Sequence, residues 1–304
     1  MKKICFPAIN RVHKARQKLF IKELRKYFKV DIWQPKQIKE TMANAAVFYA
    51  TEFNNYLIKN KYDAILERGD RFEFLPSVMI SVYRGLKVIH IEGGAESGIK
   101  VVDTKVRDAV SQLADIHLVT DEQAQKRMIF LGASPNKIFN VGSLDVSYAN
   151  SIKPKRIINK DYILCLFHSI PGEDEKDIYE IVKKFKNKYK IIGIKSNSDY
   201  QESIRTEEYS SEDFISLLYF AKCVVGNSSC ICKETSILGT PAVLIGERQG
   251  NRIIGRNVLK VPFDKYEIEK AIEYQLKHKR YKKDYIYYQR NSEKKICKIL
   301  KKLI

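Results

Sequence analysis

Short apolar runs alternate with amphipathic stretches along almost the whole chain, and this alternation limits the folds that the chain can adopt. Apolar runs of four to six residues predict buried parallel strands, and longer periodic stretches predict helices. Strands that alternate with helices at this spacing predict an α/β fold with a doubly wound parallel sheet. The alternation restarts at Tyr162, after a basic linker at about Ser151–Lys160. We therefore expect two Rossmann-like domains, residues 1–150 and 151–304, facing each other across a cleft.

The predicted elements fill both halves. The strands of the first half are expected at Lys3–Phe6, Val30–Trp33, Tyr62–Glu67, Lys87–Ile91, Ile116–Val119 and Ile138–Val141, and its helices at about His13–Phe28, Thr41–Asn60, Leu75–Arg84, Asp103–Ala114 and Gln123–Leu131. The strands of the second half are expected at Tyr162–Phe167, Lys190–Ile194, Cys223–Val225 and Ala242–Ile245, and its helices at Glu173–Lys188, Ser211–Ala221, Cys230–Leu238 and through the basic segment Tyr266–Ile304.

Composition narrows the class of protein. The chain has 304 residues, enough for two domains, and 44% hydrophobic residues, enough for packed cores. No apolar run approaches the length of a membrane span, and the first ten residues lack the apolar core and cleavage site of a signal peptide. We expect a soluble cytoplasmic protein that does not associate with membranes.

The six cysteines are scattered through the chain without metal-site spacing. Cys5, Cys165 and Cys223 fall in predicted buried strands, where a free thiol behaves as a small hydrophobic group. Cys230 and Cys232 are too close for an ordinary zinc pair, and no second pair accompanies them. We expect neither disulfides nor a metal site.

A net charge of +19 raises nucleic acid as a possible partner. The lysines, however, are spread over helix faces, and no recognition motif accompanies them. A basic field also attracts a negatively charged nucleotide. Charge alone therefore does not identify a partner, and nucleic-acid binding stays the weakest alternative.

The stretch Cys223–Arg252 carries the strongest functional signal. It runs from a strand through a Ser-rich turn and a short helix into a second strand and an arginine-containing loop. Backbone N–H groups at the helix start and the hydroxyls of Ser228 and Ser229 can bind phosphate. Glu234 can accept hydrogen bonds from sugar hydroxyls, while Arg248 and Arg252 can neutralise a diphosphate. The alternative is a structural βαβ unit with an ordinary Ser N-cap.

Charged residues also gather at the strand ends of the first half. Arg11, Asp70, Glu92 and Asp103 lie on, or just beyond, loops at the carboxyl edge of the predicted sheet, where ligands bind in this fold class. Each carboxylate has a simpler explanation: Asp70 or Asp103 can cap a helix, and Glu92 can pair with a lysine. In the predicted strands, His90 is expected to be buried and hydrogen-bonded, whereas His168 stands at a strand end.

Four motifs, taken together, resemble those of the hydrolysing UDP-N-acetylglucosamine 2-epimerases, which make N-acetylmannosamine for sialic-acid-type sugars. The motifs are Gly69-Asp-Arg-Phe72; His90-Ile-Glu-Gly-Gly94 with Ser97-Gly98; Leu166-Phe-His168; and Gly226-Asn-Ser-Ser-Cys230 through Gly239-Thr-Pro241 to Arg248-Gln249. They occur in the family's order and span most of the chain. The resemblance implies a GT-B-like fold with UDP bound mainly by the C-terminal half.

The resemblance also implies roles for individual residues. Diphosphate and nucleotide contacts are implied for Ser228, Ser229, His168, Arg248 and Arg11, a ribose contact for Glu234, and acidic catalytic positions for Asp70, Glu92 and Asp103. It implies a UDP-sugar substrate and no cofactor. We expect a homo-oligomer, either a dimer or a tetramer.

The implied reaction removes the proton at C2 of the sugar and expels UDP from C1, after which water adds and C2 is protonated from the opposite face. Base and acid must act on different faces of the ring, so their proton affinities must differ. Our hypothesis assigns C2 proton transfer to Asp103, the opposite face to Glu92, and the sugar hydroxyls to Asp70.

The sequence also departs from the family pattern. The segment between Arg11 and Asp70 is shorter than is usual in the family, and Thr104 stands where a second acid is common. Three alternatives stay open: a non-hydrolysing epimerase, a GT-B-type sugar transferase, and a nucleotide-sugar-binding protein with impaired catalysis.

Overall fold

A computed structural model describes residues 1–8, 17–69, 71–96, 98–99, 102–194 and 209–304. Its contacts divide the chain into two compact units. The first unit comprises Met1–Glu96, Lys100–Ser147 and Tyr287–Ile304; the second unit comprises Ser97–Ile99 and Tyr148–Ile286. The C-terminal segment thus belongs to the first unit, whereas the sequence-based boundary groups it with the second.

The first unit contains a six-stranded sheet in the order β2-β1-β3-β4-β5-β6. Every pairing in this sheet is parallel. The strands are β1 (Lys3–Pro7), β2 (Lys29–Trp33), β3 (Ala64–Arg68), β4 (Lys87–Ile91), β5 (Ile116–Val119) and β6 (Ile138–Asn140). All six strands predicted for this half are confirmed. The side chains of the inner strands β1, β3, β4 and β5 are almost all buried, as expected for a parallel sheet that is covered on both faces.

The helices that follow these strands are α1 (Lys18–Leu24), α2 (Met42–Lys59), α3 (Phe74–Tyr83), α4 (Val102–Leu113), α5 (Glu122–Phe130) and α6 (Leu144–Ser151), and a short 3₁₀ turn lies at Pro135–Lys137. Thr41 and Asp121 are N-caps, each accepting a hydrogen bond from the backbone N–H three residues ahead. Helix α6 was not predicted. The first part of the predicted helix His13–Phe28 lies outside the described residues.

The second unit repeats this architecture in a five-stranded parallel sheet of order β11-β10-β9-β7-β8. The strands are β7 (Tyr162–Leu166), β8 (Lys190–Gly193), β9 (Cys223–Gly226), β10 (Ala242–Ile245) and β11 (Val258–Val261), the last of which was not predicted. The helices are α7 (Glu175–Lys183), α8 (Ser211–Phe220), α9 (Ser229–Cys232), α10 (Glu234–Leu238) and α11 (Lys265–Lys277). No helix in the described part of the chain has both the length and the apolar content to cross a bilayer.

The C-terminal helix α12 (Ser292–Leu303) packs onto the first unit. Its buried side chains Ile296, Cys297 and Leu300 join Phe20 and Leu24 of α1 in one apolar cluster. These three positions lie on one face of a helix whose other face carries lysines, so they supply the contact. The predicted helical segment Tyr266–Ile304 is therefore two helices, α11 and α12, and they pack in different units.

The two sheets share one topology. In each unit the first strand lies next to one edge of the sheet: the second strand forms that edge, and the third strand extends the sheet on the other side. The order therefore reverses between β1 and β3 in the first unit and between β7 and β9 in the second. In open α/β sheets, ligands bind at the carboxyl ends of the strands beside such a switch point.

Candidate active site

A buried cluster of opposite charges lies at the carboxyl edge of the first sheet. Arg68 is the last residue of β3, and its Nη2 lies 3.0 Å from Glu92 Oε1 and 2.9 Å from Asp145 Oδ2. The Ser143 hydroxyl donates a hydrogen bond to the same Glu92 oxygen over 3.2 Å. Burial opposes the charged form of Arg68, but Asp145 and Glu92 outweigh this effect and raise the pKa of its guanidinium. One cation is thus shared by two carboxylates.

The backbone at Glu92 is held in an unusual conformation. Glu92 follows β4 with φ of 65°, in the left-handed region that favours glycine, and its N–H donates to Leu118 O over 2.8 Å. Beyond Gly93 and Gly94, the Arg107 side chain of α4 donates to Ala95 O over 2.6 Å. The segment Glu92–Ala95 is therefore held at two points, and the Glu92 carboxylate contacts Arg68.

His90 is structural, as the sequence predicts. Its Nδ1 lies 3.0 Å from Ser111 Oγ and its Nε2 lies 3.0 Å from Gly69 O. Burial lowers the pKa of His90 to about 4, although the bond to Gly69 O opposes the shift. A neutral imidazole therefore connects α4 to the residue that precedes Asp70.

A second buried carboxyl lies beneath this edge. Glu67 on β3 is fully buried and accepts hydrogen bonds from Ser77 Oγ over 3.0 Å and from the backbone N–H of Arg68 over 3.3 Å. Burial raises the pKa of Glu67 well above its ordinary range, and these two hydrogen bonds only partly oppose the shift. We assign it no catalytic role.

The other predicted acidic positions differ in their placement. Asp103 is exposed in the first turn of α4, one residue inside the helix, so it is not the residue that precedes the helix as an N-cap. Its carboxylate still lies at the positive end of the helix dipole. Asp70 and Arg11 lie outside the described residues.

In the second unit, the amide of Asn227 joins two loops at the switch point. Its Oδ1 accepts from the backbone N–H of His168 over 2.8 Å, and its Nδ2 donates to the carbonyl oxygen of His168 over 2.9 Å. Asn227 itself follows β9, and its N–H donates to Leu166 O over 3.1 Å. These three bonds fix the ends of β7 and β9 relative to each other, and with them the placement of His168.

The loop after β10 adds two donors to this site. Arg248 Nη1 and Gln249 Nε2 both donate to the carbonyl oxygen of Asn227, over 3.0 and 3.3 Å. The structure therefore brings the predicted residues His168 and Arg248 together through Asn227. Burial, together with the charge of Arg248, lowers the pKa of His168 to about 4, so its imidazole is neutral near pH 7.

The Ser-rich turn leads into two short helices rather than the single predicted one. Helices α9 and α10 are separated at Lys233, which has φ of −93° and ψ of −75°. Ser228 and Ser229 are half-buried at the start of α9, where the Cys230 thiol lies 3.4 Å from Ser228 Oγ. Glu234 begins α10 and is only 2% exposed.

Sequence reasoning missed the partners that organise these sites: Arg68, Ser143, Asp145, Asn227 and Gln249. A signal exists for Arg68, because a charged residue at the end of a buried strand needs a counter-charge. Asp145 lies in a helix that was not predicted, so its position at the same sheet edge could not be inferred. Asn227 stood within a quoted motif, but its two-point bond to a residue 59 positions away depends on strand order.

Comparison with known proteins gives a consistent family match. The family model for UDP-N-acetylglucosamine 2-epimerase matches residues 13–301. The chain is 32% identical over 238 residues to a UDP-N-acetylglucosamine 2-epimerase of Neisseria meningitidis, covering 69% of this chain and 63% of the relative. It is 28% identical over 250 residues to the polysialic acid biosynthesis protein P7 of Escherichia coli, covering 72% and 64%. The matched region thus spans less than two thirds of either relative.

A third relative matches over more of its length. It is the GDP/UDP-N,N'-diacetylbacillosamine 2-epimerase (hydrolyzing) of Campylobacter jejuni, 24% identical over 303 residues, which cover 88% of this chain and 78% of the relative.

Solved structures confirm the predicted fold class. The structure of Methanocaldococcus jannaschii UDP-GlcNAc 2-epimerase in complex with UDP-GlcNAc and UDP superimposes with a TM-score of 0.82 at 18% identity, covering 99% of both chains. That of the Neisseria meningitidis enzyme bound to UDP-GlcNAc gives 0.83 at 16% identity, covering 99% of this chain and 100% of the other. The fold is α/β and GT-B-like, with two parallel sheets.

Proposed function

Because the chain belongs to the UDP-N-acetylglucosamine 2-epimerase family, we propose that it is a hydrolysing member, which converts UDP-N-acetylglucosamine or a related 2-acetamido sugar into the free 2-epimer and UDP. The name of the Campylobacter relative, which specifies a hydrolysing reaction, supports this reaction type. In this proposal the protein acts in the cytoplasm as a homodimer or homotetramer and needs no cofactor.

The observation that carries the proposal is the charge cluster at the first sheet edge. Elimination of UDP needs a group that takes the weakly acidic C2 proton and another that returns a proton on the opposite face. Glu92 is held by Arg68 and Ser143 at the edge where ligands of such sheets bind. Asp103 at the start of α4 supplies the C2 base, Glu92 serves the opposite face, and Asp70 binds sugar hydroxyls.

The second unit supports binding of the nucleotide. Its switch point carries the half-buried hydroxyls of Ser228 and Ser229, a neutral His168 and the Arg248 guanidinium. A diphosphate needs such donors fixed in advance, because donors already in place cost no reorganisation when the leaving group gains charge. In this proposal Glu234 contacts the ribose, and Arg11 adds a further cation.

Incubation with UDP-N-acetylglucosamine in deuterated water, followed by proton and phosphorus NMR, tests the proposal. We expect free N-acetylmannosamine carrying deuterium at C2, together with UDP. Asp103→Asn is the matched variant: it should lose C2 deuterium exchange while its affinity for UDP, measured by calorimetry, stays unchanged.

The other outcomes of the same experiment identify the competing functions. UDP-N-acetylmannosamine as the product would show a non-hydrolysing epimerase, and UDP release only with an added sugar acceptor would show a transferase. UDP binding without any turnover would show a nucleotide-sugar-binding protein. Each of these results contradicts the hydrolysing reaction.

A further inference from the structure

Three charged side chains that contact one another in the first unit are largely buried. The side chains of Arg68, Glu92 and Asp145 are 6%, 11% and 19% exposed. Two carboxylates and one guanidinium leave one net negative charge in a site that water screens poorly. How readily one of these carboxylates takes up a proton therefore depends strongly on the charges beside it.

The geometry makes the two carboxylates compete for one donor group. Glu92 Oε1 and Asp145 Oδ2 both lie within about 3 Å of the same guanidinium nitrogen, Arg68 Nη2. The attraction that each carboxylate receives is therefore offset by the repulsion between them. Because Asp145 lies in the first turn of α6, the helix dipole also favours its ionised form.

We propose that Arg68 and Asp145 are positioning residues for Glu92: Arg68 holds the carboxylate in its reactive orientation, and Asp145 offsets the cation so that Glu92 can accept and release a proton. This inference rests on the proposed function, in which Glu92 exchanges a proton with the sugar. If Glu92 were paired with Arg68 alone, the guanidinium would hold it in the ionised form, and its carboxylate would take up a proton less readily.

Within the described part of the chain, charged and polar groups near Glu92 come from three elements. Arg68 approaches from β3, and Ser143 and Asp145 approach from the segment at the start of α6. His90 on β4 interacts with Glu92 electrostatically, but its imidazole is neutral above a pKa of about 4. Above that pH, Arg68 and Asp145 are therefore the charges within this set that control the protonation of Glu92.

The test is a titration of Glu92 in the intact protein, followed by carboxyl-carbon NMR after labelling glutamate with carbon-13. The Glu92→Gln variant assigns the signal. Asp145→Asn should lower the pKa of Glu92, because it removes a negative charge and leaves the full attraction of Arg68. Arg68→Gln should raise it. Shifts of opposite sign support the proposal, and an unmoved Glu92 signal in Asp145→Asn overturns it.

Asp108→Asn is the control. Asp108 also pairs with an arginine in the first unit, through a bidentate contact of 2.7 and 2.9 Å to Arg127. The Asp108→Asn substitution should leave the Glu92 titration unchanged. If Arg68→Gln is too unstable to study, the near-isosteric Asp145→Asn variant decides the question alone.

An activity measurement separates this inference from the proposed function. In Asp145→Asn, the limb of the kcat profile that reports Glu92 should move to lower pH. In Arg68→Lys, kcat should fall about 10–100-fold with KM unchanged, because a lysine cannot reproduce the guanidinium contacts. If the wild type turns over but the pH profile of kcat does not move in Asp145→Asn, the inference is overturned and the proposed function is not. Absence of turnover by the wild type overturns the proposed function, while the titration still decides whether the two residues control Glu92.

Discussion

The two units use the same sheet order, yet they place opposite kinds of chemistry beside the switch point. In the first unit, the end of β3 carries Arg68, which is compensated by Glu92 and Asp145. In the second, the ends of β7 and β9 are joined by the uncharged amide of Asn227. The first arrangement is a cluster of ionised side chains, and the second is a set of neutral amide hydrogen bonds to which the Arg248 guanidinium also donates.

Under the proposed function, this difference follows from what each site has to do. A proton-transfer group must be able to change its charge. A nearby counter-ion must therefore not stabilise its ionised form too strongly. A phosphate site needs donors in fixed positions, which neutral amide hydrogen bonds supply without the desolvation cost of a buried ion pair. The shared topology therefore determines where each site lies, and the side chains determine its function.

The largest expected effect concerns the close approach of β7 and β9. Gly226 has φ of 148°, and a Cβ added there would lie 2.0 Å from Leu166 O. Gly226→Ala must therefore separate the two strand ends, and we expect a loss of about 3 kcal/mol or more in the free energy of unfolding. Denaturant unfolding of the whole chain measures this loss in the free energy of unfolding.

Gly193→Ala is the matched control for Gly226→Ala. Gly193 ends β8 in the same sheet, and an added Cβ there meets nothing within 4 Å. Its free energy of unfolding should change by no more than about 0.5 kcal/mol. Equal losses in the two variants would show that close backbone approach does not distinguish the switch point from the rest of the sheet.

The next effect tests whether Asn227 joins the loops of the second unit. Asn227→Ala leaves the backbone N–H and carbonyl oxygen of His168 without their side-chain partner, so we expect a loss of about 2–3 kcal/mol. Calorimetry should show that UDP binds about tenfold more weakly or worse. Because the bonds are uncharged and His168 does not titrate near neutral pH, the loss should be equal at pH 6 and pH 8.

A control for Asn227→Ala lies in the first unit. The Asn54 side chain accepts two hydrogen bonds from Arg84, but at an exposed position. Asn54→Ala should therefore change the free energy of unfolding by at most about 0.5 kcal/mol. A pH-dependent loss in Asn227→Ala would contradict the contrast between the uncharged hydrogen bonds of Asn227 and the charge cluster of the first unit.

How much of this the sequence predicts depends on the range of the interactions. The strands follow from local apolar runs, and His90 between Ile89 and Ile91 was recognised as structural from its strand alone. Strand β11 was missed because Lys260 interrupts its short apolar run. The pairing of Arg68 with Asp145 was missed because it joins residues 77 positions apart and depends on strand order.

The division into units shows the same limit. The C-terminal segment is predicted only as basic and helical, whereas the positions of Ile296, Cys297 and Leu300 give α12 an apolar face of its own. Which core receives that face is decided by long-range packing, and it packs with α1. Local periodicity therefore predicts that an amphipathic helix exists without predicting where it packs.

The smallest expected effect concerns the electrostatics of His168. Burial is the main cause of its lowered pKa, and the charge of Arg248 adds to it. Arg248→Ala removes that charge, so the pKa of His168 should rise, but only part of the way towards its ordinary value because the burial remains. Imidazole NMR titration measures this shift. Arg248→Lys keeps a positive charge and should shift His168 less, and His90 in the first unit should not move in either variant. A His168 pKa that stays the same or falls in Arg248→Ala would show that the charge of Arg248 has no part in keeping the His168 imidazole neutral.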